Sequence, residues 1–239
     1  PILNGERTSG CTLHEIDAGI DTGPVLDQVV FPLSTRETAK TLYGKYLDHG
    51  IELIRANLPS LLSGKANSRP QPVEGSTYYS QASIDYRSVA IELRQTCEGI
   101  MRQIRAFNHR AYQLPIVHGY RISSAYPLST RTQAAPGTVL ARTPSYIDIT
   151  TIDYDCRLVF DRFDELLAAI AQDDVGALDD IANMDPALLH ESNDRGWTPL
   201  IVAAFHNARR CAARLITLGV DVDQPNEKGT TPLMYAKDG

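Results

Sequence analysis

A 33-residue internal repeat constrains the fold of this chain more than any other feature of its sequence. The pentapeptide GWTPL at 196–200 recurs as GTTPL at 229–233, an offset of 229 − 196 = 33 residues. A unit that recurs at such a period is one supersecondary element, and it buries its apolar face only by stacking on a neighbour. The C-terminal part of the chain is therefore predicted to be a stack of similar units.

This repeat resembles the ankyrin family, which has the same period and a Thr-Pro-Leu start. Between the two copies lie a helical run and the segment GVDVD at 219–223, similar to the family's helix pair and turn. One unit earlier, LAAIA at 167–171 takes the place of LIVAA at 200–204, because 200 − 33 = 167. The resemblance implies all-α ankyrin repeats over residues 163–239, and we expect the chain to stop partway through a unit.

The second informative segment is GCTLHEIDAGIDTGPVL at residues 10–26. A small-residue start and a short apolar strand that ends at His14 precede an Asp-Thr-Gly-Pro turn. Those four residue types alone fit an ordinary turn. The whole run resembles the formyltransferase family that uses N10-formyltetrahydrofolate, in the stretch that carries the family's catalytic aspartate. The resemblance assigns that aspartate to Asp21.

The chemistry implied by this resemblance is acyl transfer. Such a site takes a proton from the attacking ammonium group, returns one to the leaving nitrogen, and stabilises an oxyanion. The family is known for using an Asn, a His and an Asp, so Asp21 would orient and charge-balance the His. The backbone at Thr22 and Gly23 would lie against the pterin of the folate. His14 is interpreted as a packed or supporting histidine, because its strand neighbours are apolar.

The family's Asn and His lie in an Asn-x-His segment, which we expect upstream of Pro1. On this interpretation the N-terminal half of the catalytic domain is absent from the chain.

Hydrophobic periodicity predicts the elements that follow. A β-rich run at 25–31 predicts a strand, and apolar residues at helical spacing then predict a long amphipathic helix that ends near Gly64. Ser34 and Thr35 are the candidate N-caps of that helix. Strands followed by a helix are typical of the end of an α/β domain. Residues 1–64 are therefore interpreted as the C-terminal portion of an α/β, Rossmann-like formyltransferase domain.

Residues 65–162 are predicted to form a small, mixed, β-rich linking subdomain. After a loop rich in Pro, Gly, Asn and Ser, apolar residues at helical spacing predict a second helix over residues 86–107. The period then changes to two over 112–126 and 137–160, which predicts short antiparallel strands broken by prolines.

A cluster of aromatic, amide and arginine side chains follows the second helix, in RQIRAFNHRAYQLP at 102–115. A nucleotide needs an aromatic face for its base and cationic donors for its diphosphate. This run, and QPVEGSTYY at 71–79, resemble nucleotide-sugar N-formyltransferases. By that resemblance four residues would hold the nucleotide portion: Phe107, Asn108, Arg110 and Tyr112. The residue types alone also fit a solvated helix end with two half-buried aromatics.

The formyl acceptor is inferred from charge and from the repeats. The net charge is −6, whereas a nucleic-acid binder is more often basic. Methionyl-tRNA formyltransferases carry the same Asp motif but place a basic barrel where this chain has short strands and repeats. We therefore predict a dTDP- or UDP-linked amino sugar, such as a dTDP-3-amino-3,6-dideoxyhexose, and no nucleic acid. The expected role is the biosynthesis of surface polysaccharide, including O-antigen and lipopolysaccharide.

Two alternatives stay open. One is a methionyl-tRNA formyltransferase-like enzyme. The other is a non-catalytic ankyrin adaptor that retains a degenerate formyltransferase scaffold.

The remaining composition points to a cytoplasmic protein without a metal. The four cysteines are far apart and form no C-x-x-C pair, so they suggest neither a zinc site nor a disulfide framework. No run approaches the eighteen or so apolar residues of a membrane span. N10-formyltetrahydrofolate is the co-substrate that the resemblance implies. The resemblance also implies that two copies of the chain form a homodimer.

The single tryptophan, Trp197, occupies a surface position of the repeat between Gly and Thr. A lone exposed indole often marks a contact site. Packing against the linking subdomain, a protein partner and a small ligand stacked on the indole are all open. We hypothesise a second, non-catalytic nucleotide-sugar site at Trp197, with Arg195 and His206 nearby.

Overall fold

An antiparallel hairpin organises the N-terminal part of the chain. In the computed structural model, which describes residues 1–72 and 89–236, β1 (Thr8–His14) pairs with β2 (Val25–Pro32). The register runs from Thr8 opposite Pro32 to Leu13 opposite Asp27, and it slips at His14. The predicted strand at 25–31 is confirmed.

The hairpin packs on α1 (Ala39–Leu62), which ends two residues before Gly64 as the periodicity predicts. Phe31 and Leu42 are buried between them, and the Phe31 ring stacks on His49 with centroids 4.5 Å apart. The Asn57 amide on α1 donates to the Asp27 carboxylate on β2 over 2.8 Å. These contacts fix the direction in which β2 leaves the hairpin turn.

The N-cap of α1 is Thr38, so the prediction of Ser34 or Thr35 was wrong. The Thr38 hydroxyl accepts from the Thr41 N–H, and the Thr41 hydroxyl accepts from the Thr38 N–H, which completes a capping box. The helix begins late because Glu37 is buried and serves other partners. Its carboxylate pairs with Lys45 and accepts from the Ser34 N–H.

By internal contacts the chain divides into two compact units. The first is Pro1–Val89 with Arg105–His109, and the second is Ala90–Ile104 with Arg110–Gly239.

The second helix, α2 (Cys97–Phe107), begins later than predicted. Residues 86–88 lie outside the described residues, but 89–96 are not helical, and Ala90 instead bridges to Ile116. Two side chains explain the late start. The Thr96 hydroxyl accepts from the Gly99 N–H, and Asp153 accepts from the Cys97 N–H, so the first free N–H groups of the helix are capped there.

The predicted short strands form one antiparallel five-stranded sheet in the order β3-β4-β7-β6-β5. Its strands are β3 (Ile116–Val117), β4 (Tyr120–Pro127), β5 (Val139–Arg142), β6 (Tyr146–Ile149) and β7 (Cys156–Phe160). Alternate residues of these strands form a core with α2, which includes Ile100, Ile122, Ile149 and Leu158, each fully buried. The β-rich character of this region was predicted correctly.

Five helices follow the sheet. They are α3 (Phe163–Ala171), α4 (Val175–Met184), α5 (Pro199–Phe205), α6 (Arg209–Thr217) and α7 (Pro232–Tyr235), with a short 3-10 turn at Pro186–His190. One apolar cluster runs through α3 to α6 and includes Leu166, Leu178, Ala203 and Leu215. None of the helices in the described parts of the chain is long and apolar enough to cross a membrane.

The repeat in the sequence is also a repeat in the hydrogen bonds. Asn193 Oδ1 accepts from the N–H groups of Arg195 and Trp197, and Asn226 Oδ1 accepts from those of Lys228 and Thr230, 33 residues later. In each turn a glycine adopts positive φ, at 70° for Gly196 and 75° for Gly229. The Thr198 hydroxyl then caps α5, whose first residue is Pro199.

A buried carboxyl lies at the end of α4. Asp185 is 2% exposed, and burial raises the pKa of its carboxyl above the ordinary value. The hydroxyls of Ser123 and Ser124 and the charge of Arg110 lower that pKa, but they do not offset the burial. The native state therefore holds this proton more tightly than the unfolded chain does.

Asp185→Asn is expected to raise the free energy of unfolding at pH 7 by about 1 kcal/mol, because the buried group no longer has to stay protonated. A raised native pKa means that stability falls as pH rises above the unfolded value of about 3.9, so the advantage should shrink toward pH 4. Urea denaturation between pH 4 and 8 measures it. Asp180→Asn, an exposed change of equal charge on the same helix, is the control. If the free energies of unfolding of Asp185→Asn and the parent changed in parallel with pH, the raised pKa of Asp185 would be contradicted.

Candidate functional site

Residues 15–24 form the turn of the hairpin, and we refer to them as the Asp21 loop. The loop is closed at its base, where the Glu15 N–H donates to the Pro24 carbonyl over 2.9 Å. Gly23 is needed at this closure, because a Cβ there would lie 1.8 Å from the Glu15 carbonyl oxygen. The strands of the hairpin therefore hold both ends of the loop at a fixed separation.

Inside the loop, Asp17 collects the hydrogen bonds. Its Oδ1 accepts from the Thr22 hydroxyl at 2.6 Å and from the Gly19 N–H at 3.0 Å. The bond from Thr22, followed by that from Gly19, holds the pKa of the Asp17 carboxyl below its ordinary value. The Thr22 hydroxyl is thus bound within the loop. Sequence reasoning missed Asp17, because no motif distinguishes it from the other acidic residues nearby.

Asp21 lies at the tip of this loop with its side chain 85% exposed. Its φ of 55° is left-handed, a conformation that Asp tolerates better than most residues. His14 Nε2 lies 3.6 Å from Asp21 Oδ1, while His14 Nδ1 lies 2.8 Å from the Glu15 carbonyl. Because a carbonyl only accepts, the contact at Nδ1 fits a proton on that nitrogen, while Nε2 at 3.6 Å is beyond hydrogen-bond distance of the Asp21 carboxylate.

The loop has a further contact from a distant part of the chain. The Gln71 amide donates to the carbonyls of Asp21 and Gly23, over 2.9 and 2.6 Å. No local pattern predicts this contact, because Gln71 is 50 residues from Asp21. The remainder of the segment at 71–79 that resembled sugar-modifying relatives, from residue 73 onward, lies outside the described residues.

Two of the residues assigned to the nucleotide lie at the C-terminal end of α2. Phe107 is its last residue, and Asn108 follows it. Phe107 is buried, and the Asn108 carbonyl accepts from the Lys40 N–H at the start of α1. This end of α2 is therefore anchored by packing and by a backbone hydrogen bond.

Arg110, the third residue assigned to the nucleotide, forms an ion pair with Asp161 in the structure. Its guanidinium, in a side chain 9% exposed, binds both oxygens of Asp161 over 2.7 and 2.6 Å and lies over the ring of Phe163. The pair joins the segment after α2 to the start of the repeats. Tyr112, the fourth, is 71% exposed. A role for each in nucleotide binding stays a prediction.

Trp197 lies over a cavity in the repeats. Its ring contacts the rings of Phe205 and Tyr235, with centroids 4.9 and 5.2 Å apart. The cavity measures about 330 Å³ and is lined by Asp194, Arg195, Trp197, Asn226, Glu227, Lys228 and Tyr235. Arg195 therefore lies where it was expected, whereas His206 is not among these residues.

A carboxylate exposed on a braced loop beside an imidazole can accept a proton or orient a cationic partner. It is poorly suited to bind a metal alone, and among residues 1–72 and 89–236 no three His, Cys, Asp or Glu side chains cluster as metal ligands would.

Comparison with protein families divides the chain in two. Residues 1–58 match the family described as formyl transferase, and residues 166–238 match that of ankyrin repeats, in three copies. The chain therefore joins a segment similar to formyl transferases to a segment similar to ankyrin repeats. The fold class expected from the two sequence resemblances is thereby confirmed.

Curated relatives include methionyl-tRNA formyltransferases. That of Nitrosococcus oceani is 32% identical over 166 residues, which are 66% of this chain and 49% of the relative. That of Burkholderia vietnamiensis is 32% identical over 143 residues, or 59% of this chain and 43% of the relative. The chain thus spans about half the length of these relatives.

Two solved structures resemble the chain at the same identity. The N-formyltransferase from Helicobacter canadensis, in complex with folinic acid and dTDP-3-aminofucose, is 32% identical with a TM-score of 0.58, over 67% of this chain and 59% of that one. WlaRD, a sugar 3N-formyl transferase solved with dTDP and 5-N-formyl-THF, is 32% identical with a TM-score of 0.57, over 67% and 57%. Identity alone does not separate the two acceptor classes.

Gly23→Ala is expected to lower the free energy of unfolding by about 1–3 kcal/mol, because the new methyl group forces the base of the Asp21 loop open. Gly44→Ala is the matched control: its Cβ meets no atom within 4 Å on α1. That control should gain about 0.5–1 kcal/mol from helix propensity. Urea denaturation of both variants measures the difference, and equal effects would show that the loop base tolerates a side chain.

Proposed function

We propose that this protein transfers a formyl group from N10-formyltetrahydrofolate to the amino group of a nucleotide-linked amino sugar. One observation carries the proposal: the segment that matches the formyl transferase family presents the Asp21 carboxylate, exposed and beside His14, on a loop braced at its base. On this view residues 1–64 present Asp21, residues 65–162 hold the nucleotide, and residues 163–239 are the repeats.

Asp21 serves the proton transfers of the reaction. The attacking ammonium group must lose a proton before its nitrogen can bond to the formyl carbon, and the leaving nitrogen of the folate must gain one. The Asp21 carboxylate orients and charge-balances the His of the Asn-x-His segment that the resemblance implies. His14, whose Nδ1 contacts the Glu15 carbonyl, lies with its Nε2 3.6 Å from the same carboxylate. The backbone of Thr22 and Gly23 faces the pterin.

The acceptor is argued first from the structural relatives. Both sugar-modifying structures hold a formyl folate derivative together with dTDP or a dTDP-amino sugar. A dTDP-linked 3-amino sugar made for surface polysaccharide, in the cytoplasm, is the corresponding substrate here. The curated relatives support methionyl-tRNA as the second candidate acceptor.

Charge favours the sugar over the transfer RNA. Several arginines in and around the sheet are already paired with carboxylates: Arg110 with Asp161, Arg157 with Asp148 and Arg162 with Glu165. Paired arginines offer little to a phosphate backbone, on which tRNA affinity depends. The net charge of −6 points in the same direction.

The nucleotide is assigned to the segment after α2. Tyr112 is the exposed aromatic face on which a base can stack. Phe107, Asn108 and Arg110 shape the segment that presents it. Arg110 reaches a diphosphate only by sharing its guanidinium with Asp161.

Trp197 is proposed as a second, non-catalytic site for the same nucleotide sugar. The indole borders the cavity of about 330 Å³, and Arg195 and Lys228 on its lining can face a diphosphate. Asp194 and Glu227 on the same lining can accept from sugar hydroxyls.

Asp21→Asn is expected to lower the rate of formyl transfer by about 10²–10⁴-fold, because the amide neither accepts the proton nor balances an imidazolium charge. The full-length protein is assayed with N10-formyltetrahydrofolate and a dTDP-amino sugar, and tetrahydrofolate release is followed. Asp48→Asn, an exposed change of equal charge on α1, should keep the parent rate.

A parallel assay offers charged initiator transfer RNA as the acceptor. Turnover with the sugar supports the proposal, and turnover with transfer RNA alone replaces it by the second candidate. Turnover with neither acceptor would favour the non-catalytic ankyrin adaptor.

The second site is tested by tryptophan fluorescence, since Trp197 is the chain's single tryptophan. A dTDP-sugar is titrated into the Asp21→Asn protein while the catalytic site is saturated, and stacking on the indole should quench its emission. Titration of dTDP alone separates base stacking from sugar contacts. Unchanged emission throughout would sink the second site.

A further inference from the structure

The contact between Gln71 and the Asp21 loop differs from the loop's other hydrogen bonds. Its side-chain amide has two N–H donors and donates to two carbonyls, those of Asp21 at 2.9 Å and Gly23 at 2.6 Å. These carbonyls flank Thr22. One side chain therefore fixes the backbone on both sides of the turn that presents the carboxylate.

Gln71 reaches the loop because the chain returns along the hairpin after α1. Arg69 forms two backbone hydrogen bonds with Val25, of 2.7 and 2.8 Å, at the first residue of β2. Its guanidinium also donates to the Gln28 side chain over 2.8 Å. Gln71 follows two residues later, at the level of the loop, and its place is set by the sheet rather than by the loop.

Within the part of the chain that the structure describes, the loop has few other means of holding Asp21 in position. Ile16 and Ile20, its two large apolar residues, are 95% and 85% exposed, so the loop has no core of its own. The Asp17 carboxylate binds Gly19 and Thr22 but leaves the carbonyls of Asp21 and Gly23 unheld. Asp21 also stays in a left-handed conformation, with φ of 55°.

We propose that Gln71 is a positioning residue for the formyl transfer step, and that it acts by fixing the backbone on both sides of Thr22 so that Asp21 points at the reacting groups. The inference rests on the proposed function for its kinetic consequence. Its structural part, the restraint of the Asp21 loop, is measured without any substrate.

Two substitutions separate the donor role of Gln71 from its shape. Gln71→Met keeps the length of the side chain without a donor, and Gln71→Glu places a carboxylate against two carbonyls. Both should lower kcat by about 10–100-fold while KM for the amino sugar changes less than about twofold, because a small displacement of a reacting group slows the chemical step. Gln95→Met is the control, since Gln95 also donates twice, but to the Glu92 carbonyl and the Gln103 side chain rather than to the loop.

The pH dependence of kcat distinguishes hydrogen-bond donation by residue 71 from a role in packing alone. Once protonated, the carboxyl group of the Gln71→Glu variant regains one O–H donor, whereas the thioether of the Gln71→Met variant has none. The ratio of kcat for Gln71→Glu to that for Gln71→Met should therefore rise as pH falls from 8 to 5. The titratable groups of the loop, Asp17 and Asp21 with His14 behind them, are common to both variants. A ratio that stays flat, or parental kcat in both variants, would overturn the proposal.

Hydrogen exchange of the peptide that contains residues 15–24 tests the restraint in the full-length protein. Gln71→Met should raise exchange there, including at the Glu15 amide that donates to Pro24, while Gln95→Met leaves it unchanged. Unchanged exchange in Gln71→Met would overturn the restraint. If exchange rises but the parent protein transfers formyl to no acceptor, the restraint stands and the proposed function fails.

Discussion

The pairing of β1 with β2 is the constraint on which the candidate site depends. The two strands begin and end opposite each other, so they fix the separation of Glu15 and Pro24 and close the loop between them. The place of Asp21 depends on that closure, because within residues 1–72 and 89–236 neither Asp21 nor His14 belongs to a hydrophobic core. Helix α1 supports the hairpin from one side, through Phe31 and the bond between Asn57 and Asp27. The loop is thus rigid at its base and open at its tip.

A different kind of interaction joins the sheet to the repeats. Arg110, Asp161 and Phe163 form a buried ion pair with an aromatic ring over it, at the point where the β-rich region gives way to α3. A buried pair of this kind tolerates the loss of neither partner, since the other charge would be left without compensation. Arg110, which the sequence suggested for nucleotide binding, therefore also stabilises the fold.

The sequence predicted those parts of the fold that follow from local periodicity. The 33-residue offset, the helical spacing before Gly64 and the alternation after residue 112 each correspond to elements in the structure. On α1, however, the spacing marks a helix more than a buried face, because only Leu42 and Leu53 are buried there. The starts of α1 and α2 were wrong because they depend on distant partners. Lys45 engages Glu37, and Asp153 caps Cys97 from 56 residues away. Asp21 was found through a motif. Gln71 was noted only as part of the 71–79 segment, and its contact with the loop could not be predicted, because that contact exists only once the chain has returned along β2.

The two repeat turns carry one further consequence. Asn193 and Asn226 make the same bonds to residues at the same offsets, and Gly196 lies so close to Glu227 that a side chain there would displace the next turn. Each repeat therefore has the same turn, made by an Asn side chain and a glycine. One more unit of 33 residues could be joined with this same turn. The array can therefore be lengthened or shortened by whole units while every turn keeps its hydrogen-bond pattern.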